Sequence, residues 1–499
     1  MRKRDAMTTV QEAPEGLRRN AIGLREVLFQ SITAMAPGAA IAASIPGGAA
    51  FAGGALPLSV LVALVASLFT ALAIGELARH LPSSGSVATY TAQGLHPAVG
   101  FLVGWGYVFV ELLVPPLLFL QLGFTVAGTL HDESAGFSAD LWWPWALVGA
   151  VIVLAAGFYG ITTSARLGTV LGAFEIVVFL VLGLLFVIKA GSANTASVFS
   201  TAHTPPDHQG LVGVIAGSVY TVLAFSGFEA AAPLAEETKN PKRNIRLAVV
   251  GATLGIGALY VFTTYAVDVA FGPDRFNTFM GAGENSWLGL ARSSYGLFWV
   301  LVFLAIVNST IANANAGASV STRTAYALGR IRLLPRMVTV LHPTHRSPYL
   351  AVIAQFVIGV AVTLGLGFGY DPVTAFLLVA TVIVLVVVLV YIMCNLACIG
   401  FFTRRRREDL NPFLHILVPL LGVVAFVPAL FTAGGVKIFS FVAPLSEPIS
   451  YAGFVVFGWL GLGVLYLVFL TSRHPERIRQ MSQVHLVDEL DAHEREVAG

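Results

Sequence analysis

Charge is scarce in this chain of 499 residues: only 11% are Asp, Glu, Lys or Arg, against roughly 25% in soluble globular proteins. Cysteine is scarcer still, with Cys394 and Cys398 the only two. Four residues apart on one helix they are poorly placed for a disulfide, and no further ligands lie near them for a metal, so ordinary packing is the expectation. Neither a Gly-rich phosphate loop nor a His-Glu-x-x-His zinc helix occurs. Both gaps argue against a primary pump and against an enzyme. No metal, cofactor or nucleic-acid partner is expected. The N-terminal tail is charged and lacks a short apolar core followed by a cleavage site, so no signal peptide is read.

What the chain has instead is apolar sequence. It is 56% apolar, with a mean hydropathy of +0.80, and the polar residues are confined to short connections. Twelve runs are long enough to cross a hydrocarbon core of about 30 Å as helices. They cover 28–50, 56–78, 99–128, 143–160, 167–189, 211–234, 246–271, 292–322, 349–368, 373–402, 412–432 and 450–471. An all-α membrane protein with twelve transmembrane helices follows. If alternate connections face opposite sides, Lys189, Arg275, Arg292 and Lys437 lie on one side, and the remaining 25 of the 29 Lys and Arg residues lie with the termini on the other. By the positive-inside rule both termini are cytoplasmic. The expected organisation is a tail at 1–27, a helical domain at 28–471 and a second tail at 472–499, either a surface helix or loose chain. The Arg404–Arg407 block reads as a stop-transfer signal in contact with anionic lipid. His80, His96, His342 and His345 fall in cytoplasmic connections and read as solvated. The small residues of 312–321 read as a close-packing helix surface whose hydroxyls are also able to help hold a cation.

Two runs carry breaks. Pro37 in Ala36-Pro37-Gly38 removes a backbone donor in the first. Ser226-Gly227 loosens the sixth, just before Glu229 and the charge cluster that ends at Arg246. The breaks fall at equivalent points of two five-helix halves. That plan puts a small-molecule site at mid-membrane, between discontinuous helices whose freed amides suit a carboxylate and whose freed carbonyls suit an ammonium.

The stretch Phe225-Ser226-Gly227-Phe228-Glu229, with Glu236-Glu237, Lys239-Asn240-Pro241 and Arg243 after it, resembles the amino acid/polyamine/organocation permease family. So do Ser321-Thr322-Arg323 through Tyr326-Ala327 and Arg330 to Leu334-Pro335, Gly104-Trp105, and Ser164-Ala165-Arg166. The likeness covers roughly 25–470. It implies the leucine-transporter-type fold: a five-plus-five inverted repeat (about 28–189 and 211–402) with discontinuous helices 1 and 6, then two additional helices at 412–471. It also implies alternating access in the cell's inner or plasma membrane, with the lipid bilayer as surroundings and an amino acid or amine as substrate. The substrate-site expectation comprises Ala36, Gly38, Ala39, Ala40, Glu111, Phe119, Leu223, Phe225, Ser226, Gly227 and Gly317. The family usually has a Gly-Ser-Gly-like turn where this chain has Ala36-Pro37-Gly38, and Pro37 offers no amide to a carboxylate.

Glu111, Glu175 and Glu229 are acids within apolar runs. A carboxylate in hydrocarbon is costly, so each is expected to pair, to exchange a proton or to meet a cation. Glu229 aligns with a family gate residue, with Tyr391 as its expected partner. Glu175 stands where proton-coupled relatives carry a lysine. It is read as the proton carrier, as the neutraliser of a bound cation, or as the partner of a polar residue of the eighth run, such as Asn308, Asn313 or Asn315. Glu111 meets either a substrate cation or a buried hydroxyl. Leu223 and Gly317, at positions where some relatives use tryptophan, leave an apolar or wide pocket that fits a neutral or aromatic amino acid. The expected function is import of an amino acid coupled to protons, with sodium the alternative ion. A polyamine or organic-amine carrier, an exchanger and a non-transporting nutrient sensor are the alternatives. The substrate's identity and the oligomeric state are left open by the sequence.

Overall fold

The computed structural model describes residues 20–134, 136–159, 161–279, 286–436, 438, 442 and 445–481. Most of the expected N-terminal tail, the end of the C-terminal tail and Lys437 lie outside them. Twelve helices are numbered in chain order: α1 Leu24–Gly47, α2 Ala49–His80, α3 Pro97–Glu133, α4 Trp143–Tyr159, α5 Ile161–Ala190, α6 Leu211–Glu237, α7 Pro241–Phe271, α8 Phe298–Arg330, α9 Tyr349–Tyr370, α10 Pro372–Arg404, α11 Phe413–Ala433 and α12 Ala452–Arg473. Eleven segments among the described residues are long and apolar enough to cross a membrane; α4, at 17 residues, is shorter. The described residues form no strand, and one isolated bridge pairs Ile22 with Thr238. The run expected over 292–322 is instead divided at Gly296 into a short helix, Trp287–Tyr295, and α8. The C-terminal tail begins with a helix, Pro475–Gln480, whose Ile478 and the following Met481 are buried against Phe101, Leu328 and Leu333.

The buried mass lies between helices, while large apolar side chains such as Ile188, Phe454 and Leu465 point outward, 75%, 78% and 68% exposed. That inversion suits a lipid surround, which also demands that backbone groups freed at helix breaks find partners inside the protein. Both breaks have clear causes. A residue before proline is disfavoured in the helical region, and Ala36 adopts a left-handed conformation, φ 49° and ψ 66°. Beyond it α1 resumes at Pro37 and widens into a π turn over Ala40–Ser44. In α6 the helix stops at Phe225, Ser226 is extended, and Gly227 sits at φ 103°. The second half, Phe228–Glu237, is a tight 3₁₀ helix containing Pro233. Such helices rarely exceed a few residues, so packing holds this one. Pro116 in α3 leaves the carbonyl of Leu112 without a helical donor, and Gln355 of α9 supplies one at 3.0 Å.

Candidate substrate site between the broken helices

Freed backbone groups at the two breaks meet side chains from four helices. In α1, Met35 O accepts from Tyr260 Oη of α7 at 2.6 Å, and Ala39 O accepts from Gln121 Nε2 of α3 at 3.0 Å. The Gly38 amide donates to Glu175 Oε2 of α5 at 3.1 Å. In α6, Ser31 of α1 donates through Oγ to Phe228 O at 2.7 Å and accepts from the Ala231 amide at 3.2 Å. The breaks therefore touch. A Cβ on Gly227 would stand 2.6 Å from Ala34 O, so only glycine allows the approach.

A cavity of about 40 Å³ opens between the breaks, room for a few water molecules. It gathers Ala36, Ala39, Ala40, Glu111, Leu223, Ser226, Gly227 and Gly317 from the expected set. Three other members lie elsewhere. Gly38 faces away, onto Glu175, Ala305 O and Ser309, because its amide is turned to the α5 carboxylate. Phe225 packs edge-on against Tyr260 with centroids 5.4 Å apart, fully buried one residue before the chain turns. Phe119 lies on the opposite face of α3, in a second hollow with Pro115, Asn315, Arg323 and Gln355. Ser44 and Gln121, which the sequence does not single out, and Asn313, expected only beside Glu175, bring hydroxyl and amide groups to the main cavity. A lone amide in the run Pro116–Phe124 was a readable signal for Gln121. Ser44 sits on a π turn, a distortion common at functional sites.

Among the described residues, Glu111 is the only charged one lining the cavity, 4% exposed, and no basic side chain lines it. Tyr107 lies beside Glu111 and near Glu229. Glu229 is fully buried behind the α6 break and accepts from Tyr391 Oη at 2.7 Å; the Tyr391 and Phe228 rings pack 4.9 Å apart. Glu175 is also fully buried, with Ser309 of α8 beside it. Of the polar residues of α8 expected beside Glu175, Ser309 lies against it, while Asn308 donates to Leu171 O at 3.0 Å and Asn313 lines the cavity.

The charge cluster after α6 closes one end of the bundle. Arg323 Nε of α8 meets Glu237 Oε2 at 2.6 Å, and Arg330 meets Glu236 at 3.3 Å, with Ser84 donating to Glu236 as well. Nearby, Glu76 of α2 pairs with Arg246 of α7 at 2.7 Å. His80 is not simply solvated: it packs edge-on against Phe402 and donates to Glu76 O at 2.9 Å.

Comparison with known proteins agrees with this architecture. The family model described as "Amino acid permease" matches residues 26–482. The low-affinity putrescine importer PlaP of Escherichia coli K12 is 26% identical over 442 residues, covering 86% of this chain and 89% of that protein. The branched-chain amino acid permease BcaP of Bacillus subtilis is 29% identical over 327 residues, covering 61% and 66%. The histidine permease HisP of Lactococcus lactis is 27% identical over 287 residues, covering 54% and 57%. These relatives are permeases, not enzymes, and they span the range from amino acid to amine. A multi-span membrane protein with broken helices around a pocket that holds one buried acid, this chain belongs to the amino acid permease family.

Proposed function

We propose that the protein is a secondary active transporter that imports an amino acid or organic amine by alternating access, coupled to protons through Glu175. The observation that carries this reading is the position of Glu175. Its carboxyl group is buried without a basic partner, on the amide of the α1 break and against α8. A proton there changes the charge at the hinge of the substrate site, which is what coupling requires. Glu229 with Tyr391 acts as a gate behind the cavity, and the cavity residues of α1, α3, α6 and α8 hold the substrate. Both termini face the cytoplasm, as the Lys and Arg distribution favours.

A twelve-helix, five-plus-five arrangement is supported by which helices touch. Contacts join α1 to the second half of α6, α2 to α7, α3 to α8 and α4 to α9. Equivalent members of two repeats pack together when a pseudo-two-fold axis runs between them, as in inverted-repeat carriers. The named relatives include a putrescine importer and permeases for branched-chain amino acids and histidine, so the shared substrate feature is an ammonium group.

The test is uptake by the full chain in proteoliposomes under an imposed pH gradient. Accumulation should need the gradient and collapse with a protonophore. Glu175→Gln keeps the shape and an acceptor oxygen for Gly38, so it should fold and exchange substrate while losing accumulation. Full proton dependence in Glu175→Gln would remove the assigned role. Absence of any flux in the parent protein would remove the transporter reading.

A further inference from the structure

We infer that the cavity is built for an organic amine that carries no carboxylate group, with its ammonium held at Glu111; this rests on the transporter reading above. An α-amino acid brings two charges. The cavity answers only one. Among the described residues Glu111 is the sole charged one in the lining, it is nearly inaccessible to solvent, and a second carboxylate, Glu229, stands close behind it across Tyr107. Two carboxylates in one dry region repel each other unless a proton or a cation comes between them. A substrate ammonium is such a cation.

The other end of an amino acid needs donors, and several of the amides at the breaks already serve the protein's own groups. The second half of α1 starts at Pro37, which has no amide hydrogen; the Gly38 amide goes to Glu175, and the Ala40 amide goes to Ala36 O at 2.8 Å. At the start of the second half of α6, Glu229 lies over the Gly227 backbone, the Ala230 amide donates to Gly227 O at 3.0 Å, and the Ala231 amide to Ser31 Oγ. Helix N-termini attract anions, and here the anions are Glu175 and Glu229. A substrate carboxylate would have to displace one of them or sit beside it in low dielectric, where like charges interact most strongly. Around Glu111 the remaining surface includes Val114, Leu117, Leu118, Leu223 and Ile383. It suits an apolar body attached to the ammonium.

The experiment compares matched pairs that differ only by the carboxylate: leucine and isopentylamine, histidine and histamine, ornithine and 1,4-diaminobutane. Each is titrated against the melting temperature of the purified full chain, since ligands that bind the folded state raise it. At least one amine should stabilise the protein with a half-saturating concentration more than about tenfold below that of its parent amino acid, a difference of about 1.4 kcal/mol. Glu111→Gln should abolish the response, and Glu111→Asp, which keeps the charge, should retain a weakened one. Should Glu111→Gln fail to fold, the Asp variant and the pair series still decide. Amino acids that bind as tightly as their amines, or an amine response that survives Glu111→Gln, would overturn the inference. Uptake into proteoliposomes separates the two claims. Flux of amino acids without amines defeats the inference and leaves the transporter standing; binding of amines without flux does the reverse.

Discussion

Gly227→Ala is the substitution from which the structure forecasts most. The glycine holds φ at 103°, and an added Cβ would meet three atoms of Ala34: the carbonyl oxygen at 2.6 Å, its carbon at 2.7 Å and Cβ at 2.9 Å. None is the tip of a flexible side chain, so the backbone itself must yield. Ordinary contact begins near 3.4 Å. Restoring it pushes α1 and α6 apart by several tenths of an ångström and stretches the Ser31–Phe228 hydrogen bond, now 2.7 Å. A side chain in the left-handed region costs about 1–2 kcal/mol, and overpacking adds about 1–3. The low end of that sum shifts the equilibrium between the intact and the disrupted site about 30-fold. Melting temperature of the purified protein and initial uptake rate should both fall. Gly128→Ala, where no atom lies within 4 Å of the new carbon, should change neither. A Gly227→Ala protein whose melting is unaltered and whose uptake stays within about twofold of the parent, the range of a neutral surface substitution, would refute the claim that the breaks must touch.

Two further substitutions probe the buried polar contacts. Tyr391→Phe removes the donor at 2.7 Å from a fully buried carboxyl group and should cost about 1–3 kcal/mol in thermal or denaturant unfolding. The same change in a Glu229→Gln background should cost less, and equal costs would mean that the pair is not coupled. Arg323→Ala strands Glu237, whose side chain is 4% exposed, and should destabilise by about 3–5 kcal/mol. Adding Glu237→Gln should recover part of that loss, and strict additivity of the two would argue against the pairing.

The sequence carried the architecture because hydrocarbon leaves little freedom: a run of about 20 apolar residues has to be helical. It also carried the breaks, since Pro37 and Gly227 each have a local backbone reason to interrupt a helix. It carried the Glu229–Tyr391 contact through family likeness rather than through physics, for nothing local links residues 162 positions apart. What it left hidden is the facing of side chains. Gly38 and Phe225 are correctly placed at the breaks, yet they turn away from the cavity toward Glu175 and Tyr260. Phe119 follows the cavity residue Leu118 by one position and falls on the other side of α3. A helix advances 100° per residue, so a one-residue misreading of phase sends a side chain into a different space. The spare amides and hydroxyls were harder still, because Gln121, Ser31 and Tyr260 have meaning only once the freed carbonyls and amides they serve are in view.

The two breaks are anchored differently, and that asymmetry bears on which elements would move in the proposed transport cycle. Freed groups of α1 are held by α3, α5 and α7, through Gln121, Glu175 and Tyr260. Those of α6 are held by Ser31 of α1. Farther along, the amides of Ala21 and Ile22 donate to Glu237 O at 2.8 and 3.1 Å, and the Lys239 amide returns to Ile22 O at 2.9 Å. The first half of α1 and the second half of α6 are therefore stitched together at both ends. Moving one alone would break backbone hydrogen bonds at the end of α6 and the buried Ser31 pair. Moving both as one body keeps those bonds and breaks instead the side-chain pairs of Glu236 and Glu237 with Arg330, Ser84 and Arg323. Charged side chains released into an opening aqueous path are rehydrated, whereas backbone groups separated inside the bundle are not, and an unpaired buried group costs more than an exposed one. Under the proposed alternating access, a joint swing hinged at Ala36 and Gly227 would be the less costly route to the cavity.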